Sequence, residues 1–228
     1  MRYNEENQLV SNYFFTTKLL FLPMTRGNAK MKLKDAAAVR SGLVLARKQA
    51  KDGGQYQYPL ITLRALREDG TLITQSGDTY CTEEPLRPEY LSQPGDIVMR
   101  LTVPYTAVLI GEDTAGMVIS SNFAVIRCRE GAAVPAYLHW LLNTESMRRR
   151  FYKDSAGNML SAVSPRVLAG MEIHLPAPEA QRQAAGLYEL ARREAALLRT
   201  LAEEKMTYCE AILAHMYQKG DVNHDNGK

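Results

Sequence analysis

PAPEAQRQAAGLYELARREAALLRTLAEEKMTYCEAILAHMYQ, residues 176–218, decides how the rest of the chain is read. After Pro178 no proline occurs through Gln218. Apolar side chains fall at Leu187, Leu190, Ala191, Leu197, Leu198, Leu201, Tyr208, Ile212 and Met216, a helical stripe with Glu194 and Lys205 as its main intruders. The pattern predicts one helix over 178–218, about 60 Å long at about 1.5 Å per residue. So long a helix cannot bury one apolar stripe on itself and needs a partner. No second helix of comparable length is legible, which points to another chain. The alternative is a helix lying back across its own sheet, where Gly186 and the two charges are easier to tolerate. Leu187, Leu190, Leu197, Leu201, Tyr208 and Ile212 are the expected pairing positions.

Toward the N-terminus the text becomes strand-rich. Tyr58–Leu63 is a β-type run that Pro59 pushes toward a sheet edge. Asp69-Gly70 signals a turn before Thr71–Thr74. Pro94-Gly95-Asp96 leads into Ile97–Val103, stopped by Pro104, and further runs cover Thr106–Ile110, Met117–Ser120 and Phe123–Cys128. Helical signals start at Pro135, and Thr144 caps a second short helix carrying Met147 and Phe151. Ser164–Gly170 reads as one capped turn, followed by Met171, Ile173 and Leu175 alternating with Glu172 and His174.

The expected fold class is therefore α+β: an antiparallel, bent or barrel-like sheet domain followed by one long C-terminal helix that pairs as a coiled coil. Its divisions are an N-terminal extension (1–31), the sheet domain (32–177), the helix (178–218) and a disordered tail (219–228). The length of 228 residues agrees with one full domain plus an appendage.

Composition narrows the class. Hydrophobic residues make up 46% and charged residues 23%, which excludes a wholly disordered or collagen-like chain. Leu19–Leu22, ended by Pro23, falls far short of the roughly 20 apolar residues a membrane span needs. Glu5 and Glu6 stand where a secretory signal is basic. Cys81, Cys128 and Cys209 are odd in number and far apart, which argues for a reducing compartment. A soluble, cytoplasmic protein of bacterial type is expected.

Charge is patterned although the net value is only +3. Ten basic residues face two acids between Arg26 and Arg67, then seven acids face Arg87 alone between Glu68 and Asp96. Arg148, Arg149, Arg150 and Lys153 form a further basic cluster. Separated basic blocks suit a local polyanion-binding face, though ordinary solvated faces give the same pattern.

Enzymatic motifs are missing. Gly111–Gly116 lacks the lysine of a phosphate-binding loop, and no dinucleotide fingerprint is present. Val103-Pro104-Tyr105 only superficially resembles an amino-methyltransferase tetrad. His139, His174, His215 and His224 have no metal-ligand spacing. Cys81 reads as an inert thiol, and Glu203-Glu204-Lys205 as charged helix surface rather than a nuclease motif. No metal, cofactor or catalytic constellation is expected.

Four segments in order carry a wider pattern: Gly95–Arg100; Ser120-Ser121-Asn122-Phe123-Ala124-Val125-Ile126; Tyr137–Leu142; and Ala156-Gly157-Asn158 running on through Ser164, Leu168 and Met171–Gln181. This order, ending in Pro-x-Pro-x-x-Gln before a long helix, resembles the specificity subunit of Type I restriction–modification systems over about Lys32–Tyr217. It is similar to one target-recognition domain followed by one conserved helical spacer. Members of that family carry two of each, whereas this chain shows one, and its first thirty residues match nothing in the pattern.

The resemblance implies a non-catalytic protein that reads a DNA half-site and docks modification subunits. Those subunits bind S-adenosylmethionine and methylate adenine; ATP belongs to a further restriction subunit. Candidate phosphate contacts are Arg40, Arg47, Lys48, Lys51, Arg64, Arg67, Arg148, Arg149 and Arg150. The loop Lys51–Tyr58, with two amides (Gln55, Gln57) and two phenols (Tyr56, Tyr58) beside basic groups, has chemistry suited to base contacts, and Gln55 and Tyr56 are its candidates. Ser121, Asn122, Gly157, Pro176 and Gln181 are read as structural. An antiparallel pair of identical helices makes a two-fold homodimer, for which a bipartite palindromic site is expected. The alternatives are a silent or truncated recognition cassette, a DNA-binding or assembly protein outside restriction–modification, and a free-standing nuclease.

Overall fold

Short apolar runs punctuated by turns produce nine strands among the described residues, which are 29–50, 53–73, 77–155 and 162–222 of the computed structural model. In chain order the elements are β1 (Ala29–Lys32), α1 (Leu33–Ala36), β2 (Ala37–Ser41), β3 (Tyr56–Ile61), β4 (Thr79–Thr82), β5 (Asp96–Arg100), β6 (Ala107–Leu109), β7 (Val118–Ile119) and β8 (Phe123–Cys128). They continue with α2 (Pro135–Asn143), α3 (Glu145–Ser155), α4 (Pro165–Gly170), β9 (Glu172–Leu175) and α5 (Pro178–Val222). The chain divides into two units, Met1–Ala184 and Ala185–Lys228.

In the first unit the largest sheet has the order β2-β8-β5-β6 and is antiparallel throughout. Its central strands, β5 and β8, are buried along most of their length, as strands covered on both faces must be. On one face Val98, Val108, Phe123 and Val125 join Ile61, Leu66, Ile110, Met117 and Ile119 in the main core. Helices cover the sheet too, α2 against β5 and β6, and α4 against β2.

The second sheet, β4-β3-β7, departs from the expectation twice. Its β3–β7 pairing is parallel, through Leu60↔Val118 and Ile61↔Ile119, within an otherwise antiparallel set of strands. Moreover, β3 is the middle strand rather than an edge, despite Pro59. The register explains this. Pro59 faces Thr79 of β4, while β7 pairs only from Leu60 onward, so the flank that lacks an N–H is still unpaired at Pro59.

Other expectations are corrected locally. Thr71–Thr74 forms no strand among the described residues; Leu72 makes a single bridge to Leu66 and the Ile73 N–H donates to the Ala65 carbonyl. The 3-10 turn Leu63–Ala65 leaves too little extended chain there to pair. β5 ends at Arg100, and a turn closed by Tyr105 N–H on the Thr102 carbonyl follows from Thr102. β1 crosses the boundary placed at residue 32, pairing with β9 from Ala29↔Leu175 to Lys32↔Glu172, with Lys30 and Glu172 in an ion pair of 2.8 Å. Residues 1–28 and 223–228 lie outside the described residues, and so do Lys51, Asp52 and Ala156-Gly157-Asn158.

Turns and caps follow the sequence closely. Thr71 N–H donates to Asp69 Oδ1 at 2.9 Å, with Gly70 at φ +78°. Met147 N–H reaches Thr144 Oγ1 at 3.4 Å, and Val167 N–H reaches Ser164 Oγ at 3.2 Å. Gly42 is required for a different reason. A Cβ there lies 2.2 Å from the Ser120 carbonyl oxygen, because Gly42 and Leu43 cross the β7 end closely. Gly42→Ala is expected to cost about 3 kcal/mol through forced displacement of backbone; a urea denaturation midpoint checks it.

Gln181, 2% exposed, ties the start of α5 to the body of its unit. Its Oε1 accepts the Val134 N–H at 2.8 Å and its Nε2 donates to the Pro176 carbonyl at 2.8 Å. Gln181→Leu keeps much of the volume but strands both backbone groups. The expected loss is about 2–4 kcal/mol, read from chemical unfolding, with Gln181→Glu less damaging than leucine if one bond survives.

The second unit continues α5, whose helix runs to Val222, past the end expected at 218. Leu187, Leu190, Leu197, Leu201, Tyr208 and Ile212 are all exposed, at 41–67%.

Candidate nucleic-acid interface

One end of the β3–β4 hairpin gathers four of the sequence-derived candidates. The Tyr80 hydroxyl donates to the Leu45 carbonyl at 2.6 Å, and the Ala50 N–H donates to the Cys81 carbonyl at 3.0 Å. These bonds hold the 3-10 turn Leu45–Arg47 against β4. Arg47, Lys48 and Gln49 are therefore exposed around a shallow cleft completed by Thr82, Glu83 and Glu84. Gly54 brings the next loop to the same place: its φ is +37°, and a Cβ there meets Thr82 N at 2.8 Å. Tyr56 then pairs with Thr82.

Strand alternation sorts the side chains of this loop. Gln55 and Gln57 are exposed, while Tyr56 and Tyr58 are half-buried. The Tyr58 hydroxyl is already used, accepting the Leu86 N–H at 3.0 Å. Among the described residues here, Arg47, Lys48, Gln49, Gln55 and Gln57 are thus the cations and amides presented to solvent. Gln49, which stands beside Lys48, was not among the candidates, whereas Gln57 is the second amide of the candidate loop, and the period-2 pattern sets it on the same face as Gln55.

The remaining cations are not gathered there. Arg64 stands at the opposite end of the hairpin in an ion pair with Asp78, which also accepts the Thr62 hydroxyl at 3.2 Å. The hydrogen bond from Arg64 holds the Asp78 carboxyl below its ordinary range. Arg67 is exposed beside the turn at Glu68, whose carbonyl accepts Arg148 Nη2 at 3.3 Å.

Arg149 is paired with Glu145 one helical turn back, and Arg150 Nη1 donates to the Glu172 carbonyl at 2.7 Å. The run Arg148–Arg150 is therefore no single patch, because neighbours on a helix do not share a face. Arg40 is half-buried in β2; burial and the nearby Arg127 charge push its pKa down. Its Nη2 is buried without a hydrogen-bond partner among the described residues.

The most enclosed charge among the described residues of this unit was not singled out from sequence. Asp96, 1% exposed, accepts Arg127 Nε at 2.6 Å and Nη2 at 2.7 Å across the β5–β8 register, and the Gln93 N–H at 3.0 Å. Burial pushes the Cys128 thiol up to about 11, which keeps it protonated near neutral pH. Among the described residues no group of three or more His, Cys, Asp or Glu side chains is placed to hold a metal ion. None of their helices is long and apolar enough to cross a membrane.

No protein-family model and no curated protein matches the sequence. The fold, however, is similar to solved structures. A chain described under complex assembly and conformational transition of the type I R-M system superposes with a TM-score of 0.62 at 20% identity, over 79% of this chain and 46% of that one. The HsdS subunit from Thermoanaerobacter tengcongensis gives a TM-score of 0.53 at 17% identity, over 86% and 48%. The chain spans about half the length of these structures, and at such identities the likeness is one of fold.

Proposed function

We propose that the chain is a sequence-specific DNA-recognition subunit of a Type I restriction–modification methyltransferase complex and acts in the cytoplasm. The observation that carries this reading is the pairing of an α+β domain with a long exposed helix in a fold shared with the HsdS subunit. The exposed group Arg47, Lys48, Gln49, Gln55 and Gln57 supports it chemically: cations hold phosphates while amides read base edges. Arg40, Lys51, Tyr56, Arg64, Arg67 and Arg148–Arg150 remain secondary contact candidates in this proposal.

The subunit itself does no chemistry. Modification subunits bring S-adenosylmethionine, and ATP serves only a restriction subunit. Two copies associate through α5 and read an inverted, bipartite double-stranded site.

The test mixes the purified full chain with its modification subunit, S-adenosylmethionine and random-sequence DNA, then maps methylated adenines by sequencing. Methylation at one bipartite inverted repeat, dependent on the chain, is the expected result. Methylation that is unchanged without the chain, or no stable complex with the modification subunit, overturns the reading.

A further inference from the structure

The exposed stripe of α5 is complementary to itself in one direction and one register. Leu187, Glu194, Leu201 and Tyr208 recur every seven residues, and so do Ala191, Leu198, Lys205 and Ile212. The two series alternate at spacings of four and three, the arrangement of a coiled-coil seam, which Leu190 and Leu197, expected above as pairing positions, flank rather than join. All eight positions are exposed.

Glu194 and Lys205 are the anomalies in this seam. The neighbours of Glu194 three and four residues away are Leu190, Ala191, Leu197 and Leu198; those of Lys205 are Leu201, Ala202, Tyr208 and Cys209. Neither charge therefore has a counter-charge at ion-pairing spacing on its own helix.

We infer that α5 pairs antiparallel with α5 of a second copy, in the register whose two-fold axis passes between Arg199 and Thr200, and that Glu194 and Lys205 select that register. In an antiparallel pair one series faces the other. With the axis so placed, Leu187 meets Ile212 of the second copy and Ala191 meets Tyr208, small against large. Glu194 meets Lys205, and Leu198 meets Leu201 beside the axis. Symmetry repeats each layer, so both charges on both helices are matched.

Neighbouring registers do not achieve this. Sliding one heptad in one direction sets Lys205 against Leu187 and Glu194 against Leu198. Sliding in the other sets Lys205 against Leu201 and Glu194 against Ile212. Each leaves four charges packed on apolar side chains, which costs free energy without a compensating partner. Parallel in-register pairing sets Glu194 on Glu194 and Lys205 on Lys205. A polar position in a seam is a known way of choosing register at some cost in stability.

This inference rests on the two-copy reading above and names the residues that decide it. The experiment measures self-association of the full chain by analytical ultracentrifugation. Wild type is expected to dimerise. Glu194→Lys and Lys205→Glu, each alone, are expected to weaken the dimer about 50-fold or more, because both charged layers become like-charged. The double variant E194K/K205E returns to within about threefold of wild type. Mixing the two single variants restores association as a heterodimer, which also shows that each is folded.

Spin labels give the direction. Copies of a label at residue 200 lie close together, while those at residue 217 are about 50 Å apart at about 1.5 Å per residue. A wild-type dimer indifferent to E194K, or a double variant as weak as the singles, overturns the register and leaves the two-copy reading standing. A wild-type monomer at micromolar concentration, or association only with a different chain, overturns both.

Discussion

Asp96→Ala is expected to destabilise the α+β unit by about 3–5 kcal/mol, the cost of leaving a half-buried arginine and a backbone N–H without their enclosed carboxylate. Asp96 is almost fully enclosed, whereas Arg127 keeps 37% of its side chain exposed, so water relieves part of the loss and the value falls toward the lower figure. Three bonds disappear at once: two from Arg127 and one from the Gln93 N–H. Arg40 is affected as well, since its guanidinium then lies near Arg127 without the Asp96 charge that favours it. Guanidinium unfolding followed by tryptophan fluorescence checks the figure. The double variant Asp96→Leu with Arg127→Met should recover much of the stability, because an apolar pair can replace a buried ion pair. A loss below about 1 kcal/mol for Asp96→Ala would mean the pair is a surface feature.

Reversing Arg47 and Lys48 to glutamate is expected to lower DNA affinity at least about 100-fold near physiological salt. It should also reduce the slope of log affinity against log salt by about two, one per lost phosphate contact. The turn carrying both residues is held from behind by Tyr80 and Ala50, so stability should be nearly unchanged. Arg149→Glu is the control. Arg149 already pairs with Glu145 and lies in another group of cations, so its reversal should change affinity no more than about threefold. Equal effects from the two substitutions would remove the hairpin end as the interface. Fluorescence anisotropy titrations at several salt concentrations distinguish the outcomes.

Legibility in the sequence followed the range of the forces involved. Caps at Thr144 and Ser164, the Asp69-Gly70 turn, the alternation of Met171–Leu175 and the α5 stripe are decided within a few residues, and each appears where the sequence places it. Pro59 misled because a sequence states that an N–H is missing but not which flank of the strand is unpaired. The basic runs could not show their spatial grouping for a related reason. Arg148–Arg150 are adjacent in sequence, yet they are engaged at Glu68, Glu145 and Glu172 respectively.

The sequence by itself determined that a strand-rich body precedes one long amphipathic helix. Backbone propensity and hydrophobic period are local properties, and Pro178 with the proline-free run after it sets where that helix begins. Only the tertiary structure decided which cations are already paired with carboxylates of their own chain and which are not. That depends on charges brought together from far apart in the chain, as Asp96 is to Arg127 and Asp78 to Arg64, and no local period encodes such meetings.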